Sequence, residues 1–329
     1  MISQQASIGA KHKVLFKIYK TTGTDGNETI GSNTARAIYV GSNCRDDFGD
    51  IRFTQSDGET LEDYWLEDTS LVSGTTALIW VEPSGNVTNG DVTLYVYYGK
   101  ADATDASSGA NTFGDTGELF DNFNDASYDT TIWTTSSGTP VEANGYLRIL
   151  GSGATMCDVR STNVLPTSMR MRSRARVDIG ATVGWQLGFR QLNDSEYHLF
   201  WKALNTGEEV GKTRCGSYDG AYQGTLFTGL SDNTWTLLEH LWVASVSNQY
   251  LVDDTSIVTH TIRVADLAPY SRFVSYTPYP TLDVDWIFGM RYVAEPSWGA
   301  TGTEETPPAV GAPAGFSIVP ILQGIGILK

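Results

Sequence analysis

Residues 169–177 read MRMRSRARV. Arginine recurs at 170, 172, 174 and 176, and Met169, Met171, Ala175 and Val177 occupy alternate positions. A repeat of two is that of an extended strand, whose successive side chains point to opposite faces. The segment therefore reads as a strand with one apolar face for a core and one face of four guanidinium groups.

The same period extends outward from this strand. Downstream it appears near 183–191, 196–203, 210–215, 235–252 and 282–293, and upstream near 145–150 and 155–160. Turn residues separate most of these runs at short spacing, the pattern of a β-sandwich. A second set lies nearer the start: KVLFKIYK (13–20), ARAIYV (36–41), ALIWVE (77–82) and DVTLYVYYGK (91–100). In the last, Val92, Leu94, Val96 and Tyr98 share one face. Ile51 and Phe53 alternate around Arg52, and Ser56-Asp57-Gly58 follows as a turn. Between the sets, ADATDASSGANTFGDTG (101–117) is small, polar and Gly-containing, as a linker is. The expectation is an all-β chain: an N-terminal β-sandwich domain over 1–100, a linker over 101–117, a second sandwich over 118–294, and an extended Pro/Gly-rich tail over 295–329.

Composition agrees with this division. The chain has 329 residues, 40% of them hydrophobic, with 34 glycines. That is enough for cores in two domains. A formal charge of −16 repels phosphate backbones, so nucleic acid is not an expected partner. Cys44, Cys157 and Cys215 form no disulfide framework, and four histidines leave little for a metal or catalytic constellation. No Gly-rich phosphate loop, nucleophile elbow or HExxH motif occurs. No stretch is apolar for about 18 residues, so no transmembrane segment is expected. The opening MISQQASIGAKHKVLFKIYK holds no apolar run followed by a cleavage site. Either a signal has been trimmed or export takes another route, such as inside a virion.

The last stretch, AGFSIVPILQGIGILK (314–329), is apolar and needs a cover. It folds back on its own domain, docks as an added strand on a neighbouring subunit, or serves as a weak anchor or sorting signal. Phe316, Ile318, Val319, Ile321 and Leu322 are the candidate assembly residues.

Residues 170–214 hold eight basic and five acidic side chains, in a chain that is otherwise strongly acidic. Like charges on one strand face repel, so Arg170, Arg172, Arg174 and Arg176 need partners. Two readings stand: pairing with carboxylates on neighbouring strands, or a groove for an acidic or sulfated glycan, whose anionic groups suit Arg forks. Arg190 and Lys202 extend the second reading, since Gln186 and Arg190, and His198 and Lys202, share parity within their strands. Tyr218 and Tyr222, in CGSYDGAYQG, are candidate aromatic platforms for a sugar.

Two resemblances add to this reading. Asp50-Ile51-Arg52-Phe53, Ser56-Asp57-Gly58, Tyr64-Trp65, Trp80-Val81 and Tyr97-Tyr98-Gly99 follow one another as in the family known as domain of unknown function 2341. That family carries no established chemistry. Asp121-Asn122-Phe123 with Ile132-Trp133, then Trp235, Tyr250-Leu251-Val252-Asp253-Asp254 and Val284-Asp285-Trp286-Ile287, resemble concanavalin A-like (laminin-G-like) sandwiches. This second resemblance implies a jelly roll, glycan binding, and a structural calcium held at Asn122 and Asp285 as the one cofactor. Its laminarinase-type members carry a Glu-x-Asp-x-(x)-Glu strand, whose alternating carboxylates supply nucleophile and acid. This chain has no such strand, and Glu208-Glu209 are adjacent. The expectation is therefore no enzyme, but a structural or adhesion protein on a virion or cell surface, with other subunits of that assembly as partners. A binding module for acidic saccharides and a glycoside hydrolase are the alternatives.

Overall fold

Val14, Phe16 and Ile18 are buried along one parity of the first apolar run, and that run is a strand in the computed structural model. The structure describes residues 12–67, 74–84, 92–151, 156–166, 168–177, 184–191, 196–202, 213–261, 270–275, 281–292, 298 and 317–323. Two compact units divide the chain: Met1–Thr112 with Val293–Lys329, and Phe113–Tyr292.

The first unit contains β1 (Val14–Tyr19), β2 (Gly26–Ile30), β3 (Asn33–Tyr39), β4 (Arg52–Thr54), β5 (Asp63–Leu66), β6 (Thr76–Glu82) and β7 (Val92–Tyr98). One sheet runs β2-β3-β1-β6-β5, with β1 parallel to β3 and antiparallel to β6. Phe16, Ile18, Phe53, Tyr64, Ile79, Val81, Val96 and Tyr98 belong to one buried core. The polar members of the ordered motifs brace this unit. Asp50 accepts the backbone N–H of Arg45 at 3.0 Å and of Gly99 at 2.7 Å. Arg52 donates to the carbonyls of Gly49, Ile51 and Thr104. Asp57 accepts the N–H groups of Glu59 and Thr60, which closes the Ser-Asp-Gly turn.

The segment read as a linker contains one helical turn, α1 (Gly109–Thr112). The second unit then supplies β8 (Leu119–Asp121), β9 (Trp133–Ser137), β10 (Val141–Ala143), β11 (Tyr146–Leu150), β12 (Cys157–Ser161), β13 (Met169–Val177), β14 (Trp185–Arg190), β15 (Tyr197–Lys202), β16 (Thr213–Tyr218), β17 (Tyr222–Phe227), β18 (Thr236–Val243), β19 (Ser247–Val252), β20 (Thr255–His260), β21 (Tyr270–Ser275) and β22 (Thr281–Arg291). They form two sheets. One is eight-stranded, in the order β10-β11-β22-β13-β18-β19-β20, with β8 also paired to β22. The other is seven-stranded, in the order β17-β16-β15-β14-β21-β12-β9. Two-residue hairpin loops set register at Asn144-Gly145 and Asp253-Asp254, all four residues having positive φ. Trp133, Trp185, Leu187, Phe189, Phe200 and Phe273 meet Met169, Met171, Trp242 and Tyr250 in a single buried cluster.

The C-terminal stretch contributes β23 (Ser317–Gln323), which pairs antiparallel with β7 from Ser317↔Tyr98 to Gln323↔Val92. The order β23-β7-β4 makes a three-stranded sheet. Ile318, Val319, Ile321 and Leu322 are thus in a strand paired within their own chain, and Phe316 lies outside the described residues. The tail is not wholly an extended appendage: 317–323 is a strand of the first unit. Among the described residues no helix is long and apolar enough to cross a membrane.

Candidate functional site

The arginine-bearing face of β13 is neutralised by its neighbours. Arg170 and Arg172 are buried, and both reach Glu239 of β18, at 3.5 and 2.9 Å. Arg172 also meets Asp254 at 2.6 Å, Arg174 meets Asp285 at 2.6 Å, and Arg176 shares Asp283 with Arg148. Arg174 and Arg176 lie over the Trp235 ring, and Arg176 also over Tyr146. Of the two readings of this strand, carboxylate pairing is the arrangement found. The metal expectation meets the same chemistry. Asp285, the carboxylate a calcium ion would need, is already held by a guanidinium, and Asn122 is exposed. The pair does not fit the ion as it stands.

The opposite, seven-stranded sheet presents a different outer face. In β14, Trp185, Leu187 and Phe189 are core residues, which turns Gln186 and Arg190 outward. The expected outward parity of His198 and Lys202 is reversed. His198 packs on Trp242 at 5.5 Å, Phe200 packs on His240 at 4.5 Å, and Lys202 is buried with the same parity. Tyr197 and Trp201 therefore point out, and Leu199, of the same parity, is buried. Burial pushes the His198 imidazole down to about 3 and holds His240 well below the usual histidine range, so both stay neutral inside the sandwich.

Strand register assembles this face into rows. Tyr270↔Arg190, Arg190↔Tyr197, Tyr197↔Tyr218 and Tyr218↔Tyr222 are successive cross-strand partners over β21, β14, β15, β16 and β17. Tyr197 and Tyr218 stack with centroids 5.3 Å apart and planes 10° from parallel. Arg190 lies 5.6 Å from the Tyr197 centroid and donates to Gln186 Oε1 at 2.6 Å. Beside this row Trp201 meets Tyr222 edge-on at 6.2 Å. Gly216 makes room for both: a Cβ there would lie 2.7 Å from Trp201 Nε1 and 3.2 Å from Tyr222 Cε2. Tyr222 is 42% exposed, so its ring is open to a partner.

The row runs into a cavity of about 170 Å³ lined by Ser136, Asp158, Arg160, Arg190, Gln191, Tyr270 and Arg272. Arg272 forks onto Asp158 through Nε at 2.8 Å and Nη2 at 2.7 Å, and Ser136 Oγ donates to the same carboxylate at 2.5 Å. Burial alone would raise the Asp158 carboxyl, but these donors hold it below the usual carboxylate range. Within the seven strands Asp158 is the one acidic residue, against Arg160, Arg190, Arg214 and Arg272 on the outer face.

Among the residues expected from sequence, Arg190, Tyr218 and Tyr222 are therefore together on this face. Arg170, Arg172, Arg174 and Arg176 are on the other sheet, and Lys202 is inside. Tyr197, Trp201, Tyr270, Arg160 and Arg272 complete the face without having been singled out. The available signal was the alternation of Asp158 with Arg160 and of Tyr270 with Arg272, each within a strand.

Residues 47–136 match the family described as Domain of unknown function (DUF2341). No curated protein matches the chain. Among solved structures, a prokaryotic β-1,3-1,4-glucanase (lichenase) derived from a mouse hindgut metagenome is similar at TM-score 0.46 and 10% identity, over 53% of this chain and 99% of that one. The Bacillus licheniformis β-glucanase is similar at TM-score 0.46 and 11% identity, over 54% of this chain and 99% of that one. The laminarinase catalytic domain from Thermotoga maritima gives TM-score 0.43 and 11% identity, over 53% and 97%. These neighbours are glucanases and a laminarinase, and the expectation that the chain is no enzyme is withdrawn on that finding. Residues 47–136 thus match DUF2341, and Phe113–Tyr292 form a unit of two β-sheets around one buried core.

Proposed function

We propose that this protein binds a saccharide along the outer face of its seven-stranded sheet. The observation that carries the reading is the cross-strand row Tyr270–Arg190–Tyr197–Tyr218–Tyr222, flanked by Trp201 over Gly216. Aromatic rings offer large rigid apolar faces at little entropic cost, and the C–H faces of a pyranose pack against them. Arg190 and Gln186 supply polar groups within the same strip, as a sugar's hydroxyls require.

A glycan array followed by titration calorimetry tests this. Trp201→Ala and Tyr222→Ala each weaken binding of the selected glycan at least about tenfold, a loss of roughly 1.4 kcal/mol. Both side chains lie outside the core, so the melting temperature stays near that of the parent. A flat array, or full affinity in both variants, sinks the reading.

We infer further that such a module works as an adhesive or structural component at a virion or cell surface. The strongly acidic composition, which favours solubility, supports that setting. Finding the polypeptide in purified particles or in an envelope fraction is the expected result, and its confinement to the cell interior would contradict it.

A further inference from the structure

Arg160 and Arg272 are direct cross-strand partners on β12 and β21. Their side chains share the outer face, where like charges set opposite each other repel. Arg272 is neutralised by its fork onto Asp158. Arg160 has no such counter-ion among the described residues. Its guanidinium lies 5.4 Å from the Tyr270 centroid, and its Nε is buried without a hydrogen-bond partner. Arg190 lines the same cavity from the other side of Tyr270. Arg160 therefore brings to the cavity a positive charge that no described carboxylate offsets, in a chain whose formal charge is −16. By contrast, each arginine of β13 has a carboxylate within ion-pair distance.

We propose that the cavity between Arg160, Arg190 and Tyr270 receives one anionic substituent, a carboxylate or a sulfate ester, of the saccharide lying on the adjoining aromatic row. The inference rests on the saccharide-binding reading and adds its ligand class. Guanidinium groups match both anions because their N–H donors are fixed in a planar fork. Tyr270 holds the Arg160 plane in place, so little side-chain freedom is lost when the anion arrives. A volume of about 170 Å³ accommodates such a group and part of its ring, with the rest of the chain extending over Tyr197, Tyr218 and Tyr222. Asp158 faces the same space. It is committed to Arg272 and Ser136, and it sets a limit on the charge the site tolerates.

The test uses the full chain and three matched oligosaccharides on one backbone: neutral, uronate-bearing and sulfated. Affinities are measured by calorimetry for the parent, Arg160→Gln and Trp201→Ala. The expected result is that the parent binds one or both anionic forms at least tenfold more tightly than the neutral form. Which of them it prefers distinguishes a carboxylate from a sulfate site. Arg160→Gln loses that preference and keeps the neutral affinity, which also shows that the variant is folded. Trp201→Ala loses affinity for all three. Equal binding of neutral and anionic forms by the parent, or an unchanged preference in Arg160→Gln, overturns the anionic subsite and leaves the saccharide reading standing. Failure of the parent to bind any of the three, together with a flat array, overturns both.

Discussion

Glu239 sits between two buried guanidinium groups, and its neighbourhood shows what one residue can and cannot reveal. The alternation of Arg170, Arg172, Arg174 and Arg176 is visible in nine consecutive letters, and it does place all four on one face. Their partners are not visible, because Glu239, Asp254, Asp283 and Asp285 are brought in by β18, the β19–β20 turn and β22. Nothing local marks those carboxylates as partners, so a ligand face and a neutralised face read alike. The buried pair also has an energetic consequence. Removing one partner of a buried ion pair leaves the other charge uncompensated, at a cost of about 3–5 kcal/mol. Glu239→Gln removes the carboxylate that Arg170 and Arg172 share, leaving Arg172 its contact with Asp254. We expect it to lower the melting temperature by on the order of 10 °C, measured by calorimetry, for a unit of this size. Saccharide binding at a temperature where the variant is folded stays unchanged, because Glu239 belongs to the other sheet.

At the scale of the element, β15 explains why part of the candidate face escaped the sequence. YHLFWK alternates His198 and Lys202 on one parity with Tyr197 and Trp201 on the other, so both parities are amphipathic. The polar parity turned inward because β15 packs its His198 and Phe200 against Trp242 and His240 of β18. In β14 the apolar parity is unambiguous, and Arg190 was legible there. The strand β23 makes the complementary point. Its apolar character is plain in the sequence, but its partner β7 lies more than two hundred residues earlier. Seven residues of β7 pair with it, and Val96 at the centre is fully buried. Removing residues 314–329 bares one edge of β7, and an unpaired apolar edge templates association. The truncated chain is expected to melt at least about 5 °C lower and to form aggregates detectable by light scattering. An unchanged melting temperature with a monodisperse chain would show that β23 contributes nothing to the first unit.

For the molecule as a whole, pH is the variable that reads its buried polar groups together. Burial is the leading cause holding His198, His240 and His260 below the usual histidine range, His198 down to about 3. An unfolded chain titrates these groups near 6.5. Between that value and the folded one, the unfolded state binds more protons, so stability is full above about pH 6.5 and falls as pH falls. Each histidine contributes up to about 1.4 kcal/mol per pH unit within its window. Glu142 acts in the opposite sense. Desolvation, with Asp125 and Asp121 nearby, raises its carboxyl to about 7, so its folded form holds a proton the unfolded chain releases from about pH 4.5 upward. Its contribution is present at low pH and lost as pH rises towards 7. Burial raises Glu62 and Asp121 in the same sense but less far than Glu142, so towards pH 6.5 the three histidines face one glutamate and the net slope there is towards acid lability. Calorimetric melting from pH 8 to pH 4 should show a melting temperature that declines below about pH 6.5. His240→Phe tests the cause. Among Phe189, Phe200 and Tyr250 a phenyl ring keeps the packing and removes two buried nitrogens that have no hydrogen-bond partner. The variant should match the parent within a few degrees at pH 8 and lose less stability on acidification. A parallel decline in both proteins would assign the acid lability to other groups.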